Sequence, residues 1–159
     1  MIVVADSGPL LHLHWVAASR WALPPCPMDV VEEVWLEVER HARAALADDR
    51  LRRITVSPPI SRRVAPLCLD AAEACALSHA LSQQRDADVL VLCDELRARH
   101  ACAELGLAVV GSIGLVVEAH RAGRAGFAAA RDALEALPTL GRLHVSPALV
   151  ARAIESLAR

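Results

Sequence analysis

Lysine and tyrosine are absent from this chain, phenylalanine occurs once, and tryptophan only at positions 15, 21 and 35. So few rings exclude an aromatic platform for stacking bases and an RNA-recognition-motif sheet. No apolar run reaches the ~18 residues that a membrane-spanning helix needs. The opening MIVVADSGPLLHLHWV lacks the basic start and unbroken apolar core of a secretory signal. A cytoplasmic protein with no membrane attachment is therefore expected. The five cysteines (positions 26, 68, 75, 93 and 102) are an odd number with no C-x-x-C pair, which removes a disulfide framework and a zinc site and leaves small buried hydrophobes in a reducing compartment. No G-x-S-x-G elbow, Walker loop or G-x-G-x-x-G is present, so nothing marks a serine hydrolase or a nucleotide cradle. His12 and His14 stand two residues apart and cannot share a metal from one helix.

What is present suits one packed domain. The chain has 159 residues, 55% hydrophobic and 23% charged, enough to bury about two thirds of its unfolded surface. All 17 basic residues are arginine, and the net charge is -2. A planar guanidinium suits phosphate, although an Ala- and Arg-rich composition also arises without any ligand. The charge balance excludes a broadly basic nucleic-acid glove, while a cluster of metal-binding carboxylates would itself pull the balance acidic.

Apolar periodicity predicts strand 2–5, a turn at Ser7-Gly8-Pro9, then a helix carrying Leu10, Leu11, Leu13 and Trp15. A proline-rich loop follows at 21–27, then a helix over 28–46 whose stripe is Val30, Val31, Val34, Trp35 and Val38. Beyond it come strand 54–56 closed by Ser57-Pro58-Pro59, helix 70–84, strand 89–92, helix 95–105 ending at Gly106 and strand 107–110. Helices 113–122, 127–137 and 147–157 complete the chain, with 138–146 as a segment from which the last helix could detach. Short apolar strands alternating with helices predict a parallel sheet covered on both faces.

Ligands of such sheets bind beyond the carboxyl ends of the strands. Asp6 follows the first strand directly, and Asp94 with Glu95 follows VLVLC; each could instead cap the helix behind it. Glu73 shares a helix face with Leu77 and Ala80, where an unpartnered carboxylate is costly, or else it faces outward at the edge of that stripe. In VVEEVW, periodicity does not choose among Glu32, Glu33 and Glu37.

ADSGPLLHL resembles the opening strand and turn of PIN domains, where the Asp is a metal ligand followed by Ser or Thr. PMDVVEEVW resembles their P-x-x-V-x-E-E-V segment, and this selects Glu33. LDAAEACAL resembles the helix that delivers the third acid, matching Glu73. LVLCDELRARHACAELGLAVVGSIGLVVEAHRAG is similar to the D-D-x-x-A-R motif, the A-x-x-L-G-L turn and the V-x-G-S/T-x-G segment of a VapC-like subgroup. The resemblance runs to about Gly123, with a weaker echo in LHVSPALVARAIESL.

The resemblance implies a single three-layer α/β/α PIN-like domain over 1–159, with a central parallel sheet of four or five short strands and residues 126–159 as a C-terminal helical extension. It implies catalytic Asp6, Glu33, Glu73 and Asp94, metal ligands Asp6, Glu73, Asp94 and Glu95, and supporting hydroxyls on Ser7 and Ser112. All-oxygen ligands favour Mg²⁺ or Mn²⁺. The implied function is a metal-dependent endoribonuclease that hydrolyses single-stranded RNA, the toxin of a toxin–antitoxin pair. An inactive PIN-like binding or regulatory module is the alternative. A receiver domain would need a lysine late in the chain, and there is none. Expected partners are RNA, a cognate antitoxin and a second copy in a homodimer, with Trp15, Trp21 and Trp35 forming either a covered patch or core. Neutralising the cluster, as in Asp94→Asn, is expected to relieve like-charge repulsion and leave the fold intact.

Overall fold

A computed structural model describes residues 1–56 and 58–158. Among these residues five strands form one sheet: β1 (Ile2–Ala5), β2 (Met28–Val31), β3 (Leu51–Ile54), β4 (Val89–Leu92) and β5 (Ala108–Val110). The order is β3-β2-β1-β4-β5, and every pairing is parallel. Among the described residues eight α-helices accompany it: α1 (Ser7–Trp15), α2 (Ser19–Ala22), α3 (Glu32–Ala42), α4 (Ala71–Gln83), α5 (Leu96–Leu105), α6 (Ser112–Arg121), α7 (Phe127–Ala136) and α8 (Pro147–Leu157). The architecture is the expected three-layer α/β/α. Among the described residues, no helix is long and apolar enough to cross a membrane.

β1 and β4 supply the centre of the sheet because both are near-continuous apolar runs, and Val3, Val4, Val91 and Leu92 are at most 1% exposed. β1 pairs with β2 on one side and with β4 on the other, with Ala5 in register with Leu92. Strand order thus reverses between β1 and β4, and a crevice opens beyond their carboxyl ends.

Four expected boundaries move. Residues 28–46 are not one helix: Met28–Val31 is a strand buried on both faces, α3 starts only at Glu32, and a 3-10 turn at Arg43–Ala47 follows it. Pro27 ahead of a Val-Val pair favours the extended start, and the helical spacing of Val30, Val34 and Val38 crosses the junction by coincidence. The third strand is Leu51–Ile54 in place of 54–56; Ser57 of the expected closing turn lies outside the described residues. α1 begins at Ser7, ahead of Leu10, because a proline in the first turn loses no helical hydrogen bond. Trp21 and Ala22 belong to α2, so the loop starts at Leu23.

All five cysteines are free; Cys75, Cys93 and Cys102 are buried as expected, whereas Cys68 is exposed. The three tryptophans are partly buried against the core. α7 and α8 pack on α6 and on each other, and His120 of α6 lies 3.0 Å from the carbonyl of Leu157.

Asp29 ties β2 to α4 and β3. Its carboxylate accepts from His79 Nε2 (3.0 Å) and Arg52 Nε (2.9 Å). Burial alone would raise the Asp29 pKa, but the bonds from His79 and Arg52 outweigh it and hold the carboxyl below its ordinary range. That stabilisation is present at neutral pH and is lost as pH falls through the folded pKa. Asp29→Ala strands the buried imidazole and should lower stability at pH 7 by about 2–3 kcal/mol, read from urea unfolding midpoints; no change would mean that water replaces the carboxylate.

Candidate active site

Beyond the ends of β1 and β4 lies a cavity of about 560 Å³. Six acids line it: Asp6, Glu37, Asp70, Glu73, Asp94 and Glu95. Asp6 follows β1 and Asp94 lies just past β4, so sheet register brings them together. Neither caps the helix behind it: Asp6 stands at the N-cap of α1 without a side-chain cap bond, and the N-cap of α5 is Glu95.

The two strand-end acids have opposite surroundings. Asp6 is 5% exposed, and its Oδ1 is buried with no hydrogen-bond partner. Desolvation by burial pushes its pKa up to about 7, partly opposed by the Ser7 N–H and the Cys93 thiol, with Glu73 and Glu37 adding repulsion. The Cys93 Sγ lies 3.4 Å from Asp6 Oδ2, and burial followed by the Asp6 charge pushes that thiol far up. Asp94 is instead saturated. Its Oδ1 accepts from the Ser112 N–H at 2.7 Å, and its Oδ2 accepts from Ser112 Oγ at 2.6 Å and His12 Nδ1 at 2.7 Å. Asp94 thus satisfies the first free N–H of α6, a helix end that attracts anions.

Two glycines allow this packing. A Cβ on Gly111 would come within 2.7 Å of Asp94 Oδ1 and 2.8 Å of an Arg99 nitrogen, and one on Gly8 would meet Asp94 Cβ at 3.3 Å. The Gly111 distance is one that real Cβ atoms do not adopt, so the approach of α6 to Asp94 depends on the missing side chain.

Glu73 is buried on the same face as Leu77 and Ala80, as the helical wheel predicts, and desolvation raises its pKa. It also closes a capping box with Asp70: the Glu73 N–H donates to Asp70 Oδ1 at 2.8 Å, and the Asp70 N–H donates to Glu73 Oε2 at 3.1 Å. The D-x-x-E spacing of residues 70–73 is the signal for this box and for the placement of Asp70. Ser7 lines the cavity, and Ser112, fully buried, holds Asp94.

Glu33 does not line the cavity. It lies against Cys75 of α4, where burial first and the Glu33 charge second push the thiol up to about 11. Glu37, one turn further along α3, lines the cavity in its stead. Glu33 and Glu37 share one face of α3 a turn apart, Glu33 against α4 and Glu37 near enough to Asp6 to raise its pKa. Glu32 pairs with Arg53 at 2.6 Å on the surface. Arg97, Arg142, Leu143 and His144 also line the cavity; the last three come from the distant 138–146 segment, where no short-range pattern marks them.

The donors are of the kind that a hard divalent cation takes: all are oxygens, and the orphaned Asp6 Oδ1 needs a proton or a cation. Among the described residues, no three His, Cys, Asp or Glu side chains are gathered closely enough to hold a metal as they stand. Asp94 is turned to Ser112 and His12, and Glu73 is turned back to Asp70.

A doubly wound parallel sheet whose switch point opens on a carboxylate-lined cavity defines the class of this protein. Its family follows from comparison: the chain matches the family model of DUF3368, a PIN domain, over residues 2–159 and belongs to that PIN-domain family. PIN domains are generally nucleases and typically use divalent metals. No curated protein and no solved structure matches the chain.

Proposed function

We propose that the protein is a metal-dependent endoribonuclease of the VapC-like type that cuts single-stranded RNA. The observation that carries this reading is the buried, unpartnered Asp6 Oδ1 in a cavity lined by five further carboxylates. Asp6, Glu73, Asp94 and Glu95 would hold Mg²⁺ or Mn²⁺, with Glu37 in the place expected of Glu33. When bound, a divalent ion supplies positive charge against the scissile phosphate and acidifies a water. The chain's own part is positional. Ser112 and His12 fix the Asp94 carboxylate, the capping box fixes Glu73, and the burial of Asp6 strengthens the charge interactions it makes. Hydrolysis leaves a 5′-phosphate and a 3′-hydroxyl. A cytoplasmic toxin of this kind implies a cognate antitoxin that holds it inactive, and a homodimer.

Glu73→Gln separates chemistry from folding, because glutamine at this helix position still closes the capping box. The variant should melt within a few degrees of the parent, while RNA cleavage in Mn²⁺ falls by at least ~100-fold, the scale of losing one transition-state charge group. A parent that leaves single-stranded RNA intact in Mn²⁺ and Mg²⁺, or a Glu73→Gln variant as active as the parent, refutes the reading.

One observation favours an inactive binding module: both Asp94 oxygens are already engaged. Thermal melts with Mn²⁺ decide, since an ion that prefers the native state raises its midpoint.

A further inference from the structure

The segment between α7 and α8 crosses back over the cavity. It is held there by backbone bonds from Gly141 to Ala136 (3.0 Å) and from Leu143 to Leu137 (2.9 Å), and by Leu143, which is 7% exposed. Between these anchors Arg142 adopts a φ of +57°, a left-handed conformation that disfavours any residue but glycine or asparagine. Its guanidinium carbon stands 5.0 Å over the Trp15 ring of α1. Among the described residues, Arg142 pairs with no carboxylate, although it lines a cavity with six of them. His144 lines the same wall, as does Arg97 of α5, which donates to the Cys68 carbonyl.

A strained backbone and a stacked guanidinium place a fixed planar cation beside the acids without neutralising them. Carboxylates repel phosphate, so a strand bound here needs fixed positive charge next to the cluster, and a guanidinium fork matches two phosphate oxygens. We infer that Arg142, with His144 beside it, forms a phosphate-binding subsite that grips the backbone of a single-stranded nucleic acid adjacent to the carboxylates. The inference deepens the ribonuclease reading and rests on it for the choice of ligand. Backbone contacts carry no sequence information, so this subsite sets affinity and register for any sequence.

The test is fluorescence anisotropy of labelled single-stranded RNA oligonucleotides of two unrelated sequences, on the Glu73→Gln background, in Mn²⁺ and in EDTA, over a salt series. Arg142→Asn and Arg142→Gly both accept the left-handed backbone. Each should weaken binding roughly 5- to 30-fold equally for both sequences and flatten the slope of log affinity against log salt by about 0.7, the value for one phosphate contact on a single strand. A purely structural role would not move that slope. Arg152→Ala, exposed on α8 away from the cavity, should change neither quantity. Unchanged affinity and slope in both Arg142 variants overturn the subsite, even if the parent protein cuts RNA. Loss of affinity and slope in a protein that never cuts RNA leaves the subsite standing and defeats the ribonuclease reading. No binding by the Glu73→Gln protein at any salt, in Mn²⁺ or in EDTA, defeats the subsite whether or not the parent cuts.

Discussion

Asp6→Asn raises the thermal midpoint of the metal-free protein at pH 8 by on the order of 5 °C, and RNA cleavage falls by at least ~100-fold. The folded chain holds a proton on Asp6 up to about pH 7, whereas the unfolded chain releases it near the ordinary value of 3.8. Between those values the native state binds more protons, so stability is greatest below the unfolded pKa and declines as pH rises toward 7. The full interval is worth up to ~4 kcal/mol; half of it, after relaxation around the site, gives the ~5 °C shift for a chain of this size. The parent in EDTA should therefore gain stability as pH is lowered from 8 to about 5.5, and the Asn variant should lose most of that slope. Calorimetric melts across this range measure both. An Asp6→Asn protein that melts at or below the parent at pH 8 would show that a partner already meets the carboxylate.

Asp94 gives the opposite sign. Repulsion alone predicts that neutralising it stabilises the protein, but the carboxylate accepts three hydrogen bonds from Ser112 and His12 and satisfies the start of α6. Asp94→Ala leaves those donors without a partner and removes an anion from a helix N-terminus, a cost of about 3–4 kcal/mol, or ~10 °C. Asp94→Asn keeps one acceptor oxygen and should lose about half as much. Far-ultraviolet melts in EDTA compare these variants with Asp6→Asn. Two carboxylates at the ends of neighbouring strands should thus move the midpoint in opposite directions, and a rise for Asp94→Ala would contradict the contacts seen at Ser112.

The parallel sheet was readable because β1, β4 and β5 are short apolar runs punctuated by turns, and Asp6 and Asp94 were readable because each lies just beyond such a run. Glu73 was readable from its apolar neighbours on one helix face. The β2–α3 boundary was not, since a β-branched run leading into a helix keeps helical spacing across the junction. Periodicity left Glu32, Glu33 and Glu37 open, and the resemblance selected Glu33, whereas Glu37 is the one that lines the cavity. Arg142 and His144 were out of reach for another reason: the contact of Arg142 with Trp15 of α1 forms only in the folded chain, and local pattern does not encode it.

The cavity wall is assembled from chain positions 6 to 144. In amino-to-carboxyl order Asp6 is made before its neighbours: β1 gains β4 only after residue 92, and the Arg142 wall seats only once Leu143 can bury itself. A growing polypeptide therefore carries its acids long before it carries the surface that would steer a strand onto them.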